Sequence, residues 1–320
     1  MDPFEPIVRN PHLLTIAGNF AIRHLDAKRF PIESKFYATD PGVQVLVHTQ
    51  RPTSESRGEI VMIHGLEGSS DAGYMRSMSQ LALENGYAVH RTNMRSCGGT
   101  EALAKTMYHA GMTGDTLSVL RQIRAERIAP IFLFGYSLGG NVALKLAGEL
   151  GETAQGLLKG VCAVSTPLDL AACVRKTGQR ENWIYSWRFI SRLKERIAKR
   201  AGSLAGICDM DAVQRCRSVY EFDDLVTAKV FGFGTADNYY ATQSCNNFLH
   251  AIRVPTLLVQ AKDDPLIPFD MFHHPAIAAN PFIELYAVDH GGHLGFVANA
   301  APHFWADRIL LKWIQEAGNK

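Results

Sequence analysis

The stretch Ile131-Phe132-Leu133-Phe134-Gly135-Tyr136-Ser137-Leu138-Gly139-Gly140 is a short apolar run that enters a Gly-x-Ser-x-Gly pentapeptide. Asn141-Val-Ala-Leu-Lys-Leu-Ala-Gly-Glu-Leu150 follows it with helical spacing. A strand that reverses into a helix within one turn leaves no room for Cβ atoms beside the turning residue, so glycines two positions either side of Ser137 are a steric requirement. Such a turn lifts Ser137 Oγ to its tip. The helix starting beside it aims unpaired N–H groups and its positive dipole end at any oxyanion formed there. Ser137 is therefore a candidate nucleophile on a strand-turn-helix elbow.

Outward from this turn, short apolar and β-branched runs recur at Val43–Thr49, Glu59–His64, Tyr87–Thr92, Ile131–Gly135, Gly160–Ser165, Thr256–Ala261 and Phe282–Ala287. Helical patterns lie between most of them, clearest at Tyr74–Asn85, Thr113–Glu126, Gly140–Leu150 and Phe304–Glu316. Continuously apolar strands alternating with helices predict an α/β fold, with a mostly parallel, doubly wound sheet covered on both faces. The rhythm breaks between about Pro167 and Phe248, where Trp183, Tyr185, Trp187, Arg188 and Phe189 replace strand-like runs. Residues 167–248 are expected to form an inserted helical cap, with 1–166 and 249–320 as the core. A cap inserted there belongs over the carboxyl ends of the strands, where such sheets bind ligands. Its aromatics serve either as ordinary packing, with Trp183, Trp187 and Ile190 on one stripe of a helix over Asn182–Lys199, or as pocket lining.

The 320 residues are 47% hydrophobic and 20% charged, enough to bury a large core. Lys and Arg number 33 against 31 Asp and Glu, and a formal charge of +2 gives no electrostatic case for nucleic acid or an anionic membrane. The local run Arg192, Lys194, Arg196, Lys199, Arg200 reads as a solvated helix face in preference to a lipid-headgroup contact. Six cysteines without a C-x-x-C pair read as reduced thiols. The start Met-Asp-Pro-Phe-Glu-Pro lacks the basic and apolar regions of a secretory signal, and no apolar run approaches the ~18 residues that span a bilayer. Together these predict a soluble, cytoplasmic protein without stable membrane insertion.

An activated serine needs a base within hydrogen-bond reach and a carboxylate to orient it. After the run Thr256–Ala261 comes Lys262-Asp263-Asp264-Pro265-Leu266-Ile267-Pro268, and after Phe282–Ala287 comes Asp289-His290-Gly291-Gly292-His293-Leu294-Gly295-Phe296. Nucleophile, acid, base is the chain order of α/β hydrolases. Asp264 lies four residues before Pro268, the offset of the acid in that fold's Asp-x-x-x-Pro loop, whereas Asp263 would point the other way. His293 sits among glycines able to swing an imidazole over Ser137, and His290 lies nearer the strand end. A metal reading of His290 and His293 with His273 and His274 lacks a third ligand at regular spacing. The oxyanion donors are expected to be Leu138 N–H and Leu66 N–H, the latter from the loop His64-Gly65-Leu66-Glu67-Gly68-Ser69-Ser70. His64 reads as a loop brace and Glu67 as a solvated carboxylate.

Beyond the elbow, the segments Asn10-Pro-His-Leu-Leu-Thr-Ile16, His64-Gly-Leu-Glu-Gly-Ser69, Arg91-Thr-Asn-Met-Arg-Ser-Cys-Gly-Gly-Thr100, Gly135-Tyr-Ser-Leu-Gly-Gly-Asn141, Asp263-Asp-Pro265 and Gly291-Gly-His-Leu-Gly-Phe296 resemble the YheT-like branch of the α/β hydrolases. That branch includes eukaryotic abhydrolase-domain lipases and yeast ethanol acyltransferase/esterases, and the likeness runs over nearly the whole chain. The resemblance implies an α/β-hydrolase fold and carboxylic ester hydrolysis without cofactor or metal. Ser137, Asp264 and His293 match the family triad, a small-molecule ester is the implied substrate, and acyl transfer to alcohols is an implied side activity. Eukaryotic relatives carry an N-terminal membrane anchor. With the Asn-Pro-His segment at its start, the chain is not expected to act as a membrane lipase. That segment and Arg95-Ser-Cys-Gly-Gly are expected to brace loops at the sheet edge, with pocket shaping as the alternative.

Overall fold

A computed structural model of the chain describes residues 3–200, 204 and 206–318. Eight strands form one sheet in the order β1-β2-β4-β3-β5-β6-β7-β8. They are β1 (Glu33–Asp40), β2 (Val43–Gln50), β3 (Glu59–Ile63), β4 (Ala88–Thr92), β5 (Ile131–Tyr136), β6 (Gly160–Val164), β7 (Thr256–Ala261) and β8 (Ile283–Val288). From β4 to β8 all neighbours are parallel, while β1 with β2 and β2 with β4 are antiparallel. The main helices are α1 (Pro11–Phe20), α2 (Gly73–Glu84), α3 (Gly114–Glu126), α4 (Leu138–Leu150), α5 (Leu170–Thr177), α6 (Trp183–Ala198), α7 (Ala236–Gln243) and α8 (Trp305–Gly318).

Every residue of β3, β4, β5, β6 and β7 is buried. Successive residues of a strand point to opposite faces, so each strand supplies two cores. Val61, Ile63, Leu133, Val161 and Leu258 pack on one face with Val119 and Ile123 of α3 and Val142 and Leu146 of α4. Ile60, Met62, Phe132, Phe134 and Leu257 pack on the other with Met75 and Met78 of α2 and Ile309, Leu310 and Trp313 of α8. This is the doubly wound α/β-hydrolase architecture. The edge strand β1 has no counterpart in the apolar pattern because only Tyr37 of its eight residues is buried. Between β6 and β7 the described residues are helical or irregular: α5, α6 and α7 are joined by shorter turns, among them a π-helical turn at Asp223–Thr227. No helix among the described residues is long and apolar enough to cross a membrane.

Candidate active site

β5 ends at Tyr136 and α4 begins at Leu138, leaving Ser137 alone to make the reversal, with φ 52° and ψ −122°. A side chain in that region is strained, and surrounding structure must hold it there. A Cβ on Gly135 would sit 2.3 Å from Gly139 O, and one on Gly139 would sit 2.4 Å from Ile63 O. Both glycines are needed for α4 to return this closely against β3 and β5. The backbone is pinned by Ser137 N–H donating to Val164 O at 2.8 Å and Gly140 N–H to Ser137 O at 2.8 Å.

The loops after β7 and β8 bring two further side chains to the serine. His293 Nε2 lies 2.9 Å from Ser137 Oγ, and His293 Nδ1 lies 2.9 Å from Asp264 Oδ2 and 3.2 Å from Oδ1. Asp264 is fully buried, and its Oδ1 also accepts from Leu266 N–H at 2.8 Å and Ile267 N–H at 3.0 Å. A carboxylate facing Nδ1 places the imidazole proton there, leaving Nε2 as the acceptor for the serine proton. Asp263 turns the other way, accepting from Gly292 N–H at 3.0 Å and facing His290 Nδ1 at 3.1 Å. His290 and Asp263 thus brace the loop that carries His293.

Two anchors of that loop carry no signal in an apolar or Gly-x-Ser-x-Gly pattern. His293 N–H donates to Thr15 Oγ1 of α1 at 2.8 Å, and Leu294 N–H donates to Ser165 Oγ just after β6 at 3.1 Å. α1 lies against the loop so closely that a Cβ on Gly18 would sit 2.6 Å from Gly295 Cα. The Asn10-Pro-His segment starts α1, with Asn10 Oδ1 accepting from His12 and Leu13 N–H. Arg95 braces a second edge through Asp115 at 2.6 Å and 2.9 Å and through Asp40 and Thr106.

Leu66 and Leu138 both line the pocket above Ser137, and neither N–H has a hydrogen-bond acceptor among the described residues. The Leu66 loop reaches the serine closely: a Cβ on Gly65 would meet Ser137 Cβ at 3.1 Å. His64 is fully buried, its Nε2 accepting from Met94 N–H at 3.1 Å and its Nδ1 lying 2.8 Å from Gly65 O. Burial pushes its pKa down to about 4, so it stays neutral and ties the loop to the segment just after β4.

Glu67 departs from the solvated reading. Its side chain is 5% exposed because α6 folds over the loop and delivers Arg196, whose Nε lies 3.0 Å and 3.1 Å from the two carboxylate oxygens and Nη2 3.0 Å from Oε2. Tyr108 OH donates to Glu67 Oε1 at 3.0 Å and accepts from Glu67 N–H at 2.8 Å. The basic run of α6 is likewise not one solvated face, since Arg196 turns inward and Arg200 is buried against Ala104 O and Glu101 O. All six cysteines are buried and unpaired.

The pocket encloses about 900 Å³ including its open mouth, and its wall is predominantly apolar, with Met107, Leu170, Phe189, Leu193 and Phe222 among the lining residues. The Trp183, Trp187, Ile190 stripe divides: Ile190 is buried, Phe189 lines the pocket, and both tryptophans face solvent. Besides Glu67, a second carboxyl group, Asp223 on the π-helical turn, lines the pocket, accepting from Thr227 Oγ1 at 2.6 Å and Tyr240 OH at 2.7 Å. Burial pushes its pKa up to about 6.

Comparison with known proteins points to the same fold. YheT of Escherichia coli, provisionally named an esterase, is 29% identical over 311 residues, spanning 95% of this chain and 90% of its own length. Mouse phospholipase ABHD3 is 28% identical over 266 residues, which cover 82% of this chain and 64% of that protein. Among solved structures, Est1E from Butyrivibrio proteoclasticus superposes with a TM-score of 0.59 at 14% identity, covering 90% of this chain and 99% of that one. The Pyrococcus furiosus esterase Pf2001 gives 0.58 at 15% identity, covering 99% and 96%. At such identities the solved structures speak for the fold alone. The Hydrolase_4 profile, described as serine aminopeptidase S33, matches residues 54–293, well over half of the chain, and the protein accordingly belongs to that family of α/β hydrolases, in its YheT-like, abhydrolase-domain branch.

Proposed function

We propose that the chain is a serine carboxylesterase acting on small esters with short to medium acyl chains. The observation that carries this reading is the continuous relay from Ser137 Oγ through His293 to buried Asp264, with both separations 2.9 Å, on the floor of an apolar pocket. Ser137 Oγ attacks the ester carbonyl carbon as its proton passes to His293 Nε2, and Asp264 stabilises the imidazolium. Leu66 and Leu138 N–H, the latter at the positive end of α4, receive the oxyanion. His293 then protonates the departing alkoxide, leaving an acyl-serine. A water deprotonated by the same imidazole releases the acid. Residues 167–248 act as the cap over a core of 1–166 and 249–320, a role supported by Phe189, Leu193 and Arg196 lining the pocket.

The test is hydrolysis of p-nitrophenyl butyrate by wild type and Ser137→Ala. Loss of at least about 10³-fold in kcat/KM with an unchanged melting curve is expected, in line with triad deletions. Undiminished turnover contradicts the reading, as does faster cleavage of aminoacyl p-nitroanilides than of esters. A lipid-acyl hydrolase on the same triad is the second reading, favoured by the apolar wall of the pocket and by the names of relatives such as phospholipase ABHD3. Rising activity along a p-nitrophenyl ester series toward long chains supports it. Ester formation exceeding hydrolysis with added ethanol instead marks an O-acyltransferase.

A further inference from the structure

Seven of the thirteen large hydrophobic side chains exposed among the described residues lie on α1, just after it, or on α6. On α1, Leu13, Ile16 and Phe20 repeat at the spacing of one helical face, and Phe20 is 70% exposed. On α6, Trp183, Ile184 and Trp187 are exposed, the two tryptophans at 63% and 66%. The helices are tied side by side. The His12 ring stacks on Tyr185 with centroids 5.8 Å apart, and the Arg188 guanidinium sits 5.9 Å from the centre of the Phe20 ring. Three large aromatic rings, Phe20, Trp183 and Trp187, are thus each more than 60% exposed on two adjoining helices, more than singly scattered surface hydrophobics account for.

We propose that this α1–α6 face is a peripheral membrane-docking surface for anionic phospholipid bilayers, held beside the mouth of the pocket. Arg188 follows Trp187 directly and sits over Phe20, Arg180 lies three residues before Trp183, and Arg192 Nη1 donates to the Glu67 carbonyl at 3.2 Å; none of the three has a carboxylate partner among the described residues. Between residues 180 and 192 the only acidic side chain is Glu181, and α1 has none. Burial and then the nearby Arg192 charge hold the Arg188 pKa below its ordinary value, so an anion here would relieve repulsion already present. Tryptophan beside arginine is the composition of an interfacial anchor, apolar body inward and cation at the headgroups. A second copy fits less well. A two-fold interface would bring the positive charges of both copies together on one buried face with little negative charge to pair them. The placement serves catalysis directly: α1 holds His293 through Thr15, and Phe189, Leu193 and Arg196 of α6 line the pocket. Docking involves no crossing of the bilayer, and it goes beyond the esterase reading because it requires no chemistry at Ser137.

The experiment uses the full chain and its Ser137→Ala variant with vesicles of phosphatidylcholine alone or mixed with phosphatidylglycerol. Trp305 and Trp313 are buried, so Trp183 and Trp187 report the surface. A blue-shifted tryptophan emission and co-sedimentation are expected with the mixed vesicles, equally for wild type and Ser137→Ala. Trp187→Ser and Arg188→Glu should each weaken partitioning by about tenfold while leaving turnover of soluble p-nitrophenyl butyrate within about twofold. Unshifted emission with no sedimentation overturns the proposal. So does a dimer in solution whose tryptophan emission is already blue-shifted without lipid.

Discussion

Arg196→Met tests whether the helical segment between β6 and β7 organises the loop that carries Leu66, the proposed oxyanion donor. The substitution keeps most of the side-chain volume but removes a guanidinium that is 10% exposed and grips a carboxylate that is 5% exposed. Glu67 is left enclosed with Tyr108 OH as its remaining side-chain donor. Breaking one partner of a buried pair costs about 3–5 kcal/mol, because the other charge stays in place without compensation. For 320 residues the unfolding entropy is about 0.7 kcal/mol per kelvin, so the melting temperature should drop by about 4–7 °C. The lost contact also frees Glu67, next to Leu66. Since one oxyanion donor is worth about 10²–10³ in kcat, partial misplacement should lower kcat more than it raises KM. Differential scanning calorimetry and p-nitrophenyl butyrate kinetics read both effects. In Arg196→Met/Glu67→Gln the stranded charge is gone, and much of the stability should return. A single variant that melts within about one degree of wild type with unchanged kcat refutes the reasoning.

Three further outcomes follow from the geometry. Gly139→Ala puts a methyl group 2.4 Å from Ile63 O in a rigid strand, so it should cost several kcal/mol, of order 3 or more, in denaturant unfolding; near wild-type stability would mean that the elbow can relax. Asp264→Asn should lower kcat by about 10⁴ with little change in KM, because an amide no longer selects the imidazole tautomer, whereas the same change at Asp263 should cost far less; equal losses would contradict the assignment. Asp223 ionises near 3.8 unfolded and about 6 folded, so its stabilising contribution is complete below about pH 4 and is lost as pH rises through 6, by on the order of 3 kcal/mol. Neutral His64 works oppositely, contributing above pH 6.5 and losing that contribution as pH falls toward 4, but it is common to both chains. Relative to wild type, Asp223→Asn should therefore gain stability between pH 4 and 7, and a flat difference in urea melts would refute the raised pKa.

The sheet was legible because its central strands are buried on both faces and must be continuously apolar, which leaves the runs at 59–64, 131–135 and 256–261 with little alternative. β1 was not, because an edge strand with one buried side chain carries almost no pattern. At the site, Ser137 announced itself through glycines whose necessity is steric and local. The distinction between Asp263 and Asp264, adjacent in sequence, rested on direction along an extended segment, and the two carboxylates do turn to different histidines. Thr15 and Ser165 were invisible because a hydroxyl that accepts from a backbone N–H 278 or 129 residues away leaves no mark on its own neighbourhood. Glu67 was misread for the same reason. Its loop is polar and glycine-rich, and only the tertiary fold of α6 brings Arg196 over it.

The most direct test of the central claim is to trap the acyl-enzyme. Mixing the protein with p-nitrophenyl butyrate, quenching in acid within the first turnover and sequencing the peptides by mass spectrometry should find a butyryl group on Ser137, absent from Ser137→Ala and accumulating in His293→Ala only with negligible yield. Ester hydrolysis that proceeds at the wild-type rate with no adduct on Ser137, or with the acyl group on another residue, would contradict the account.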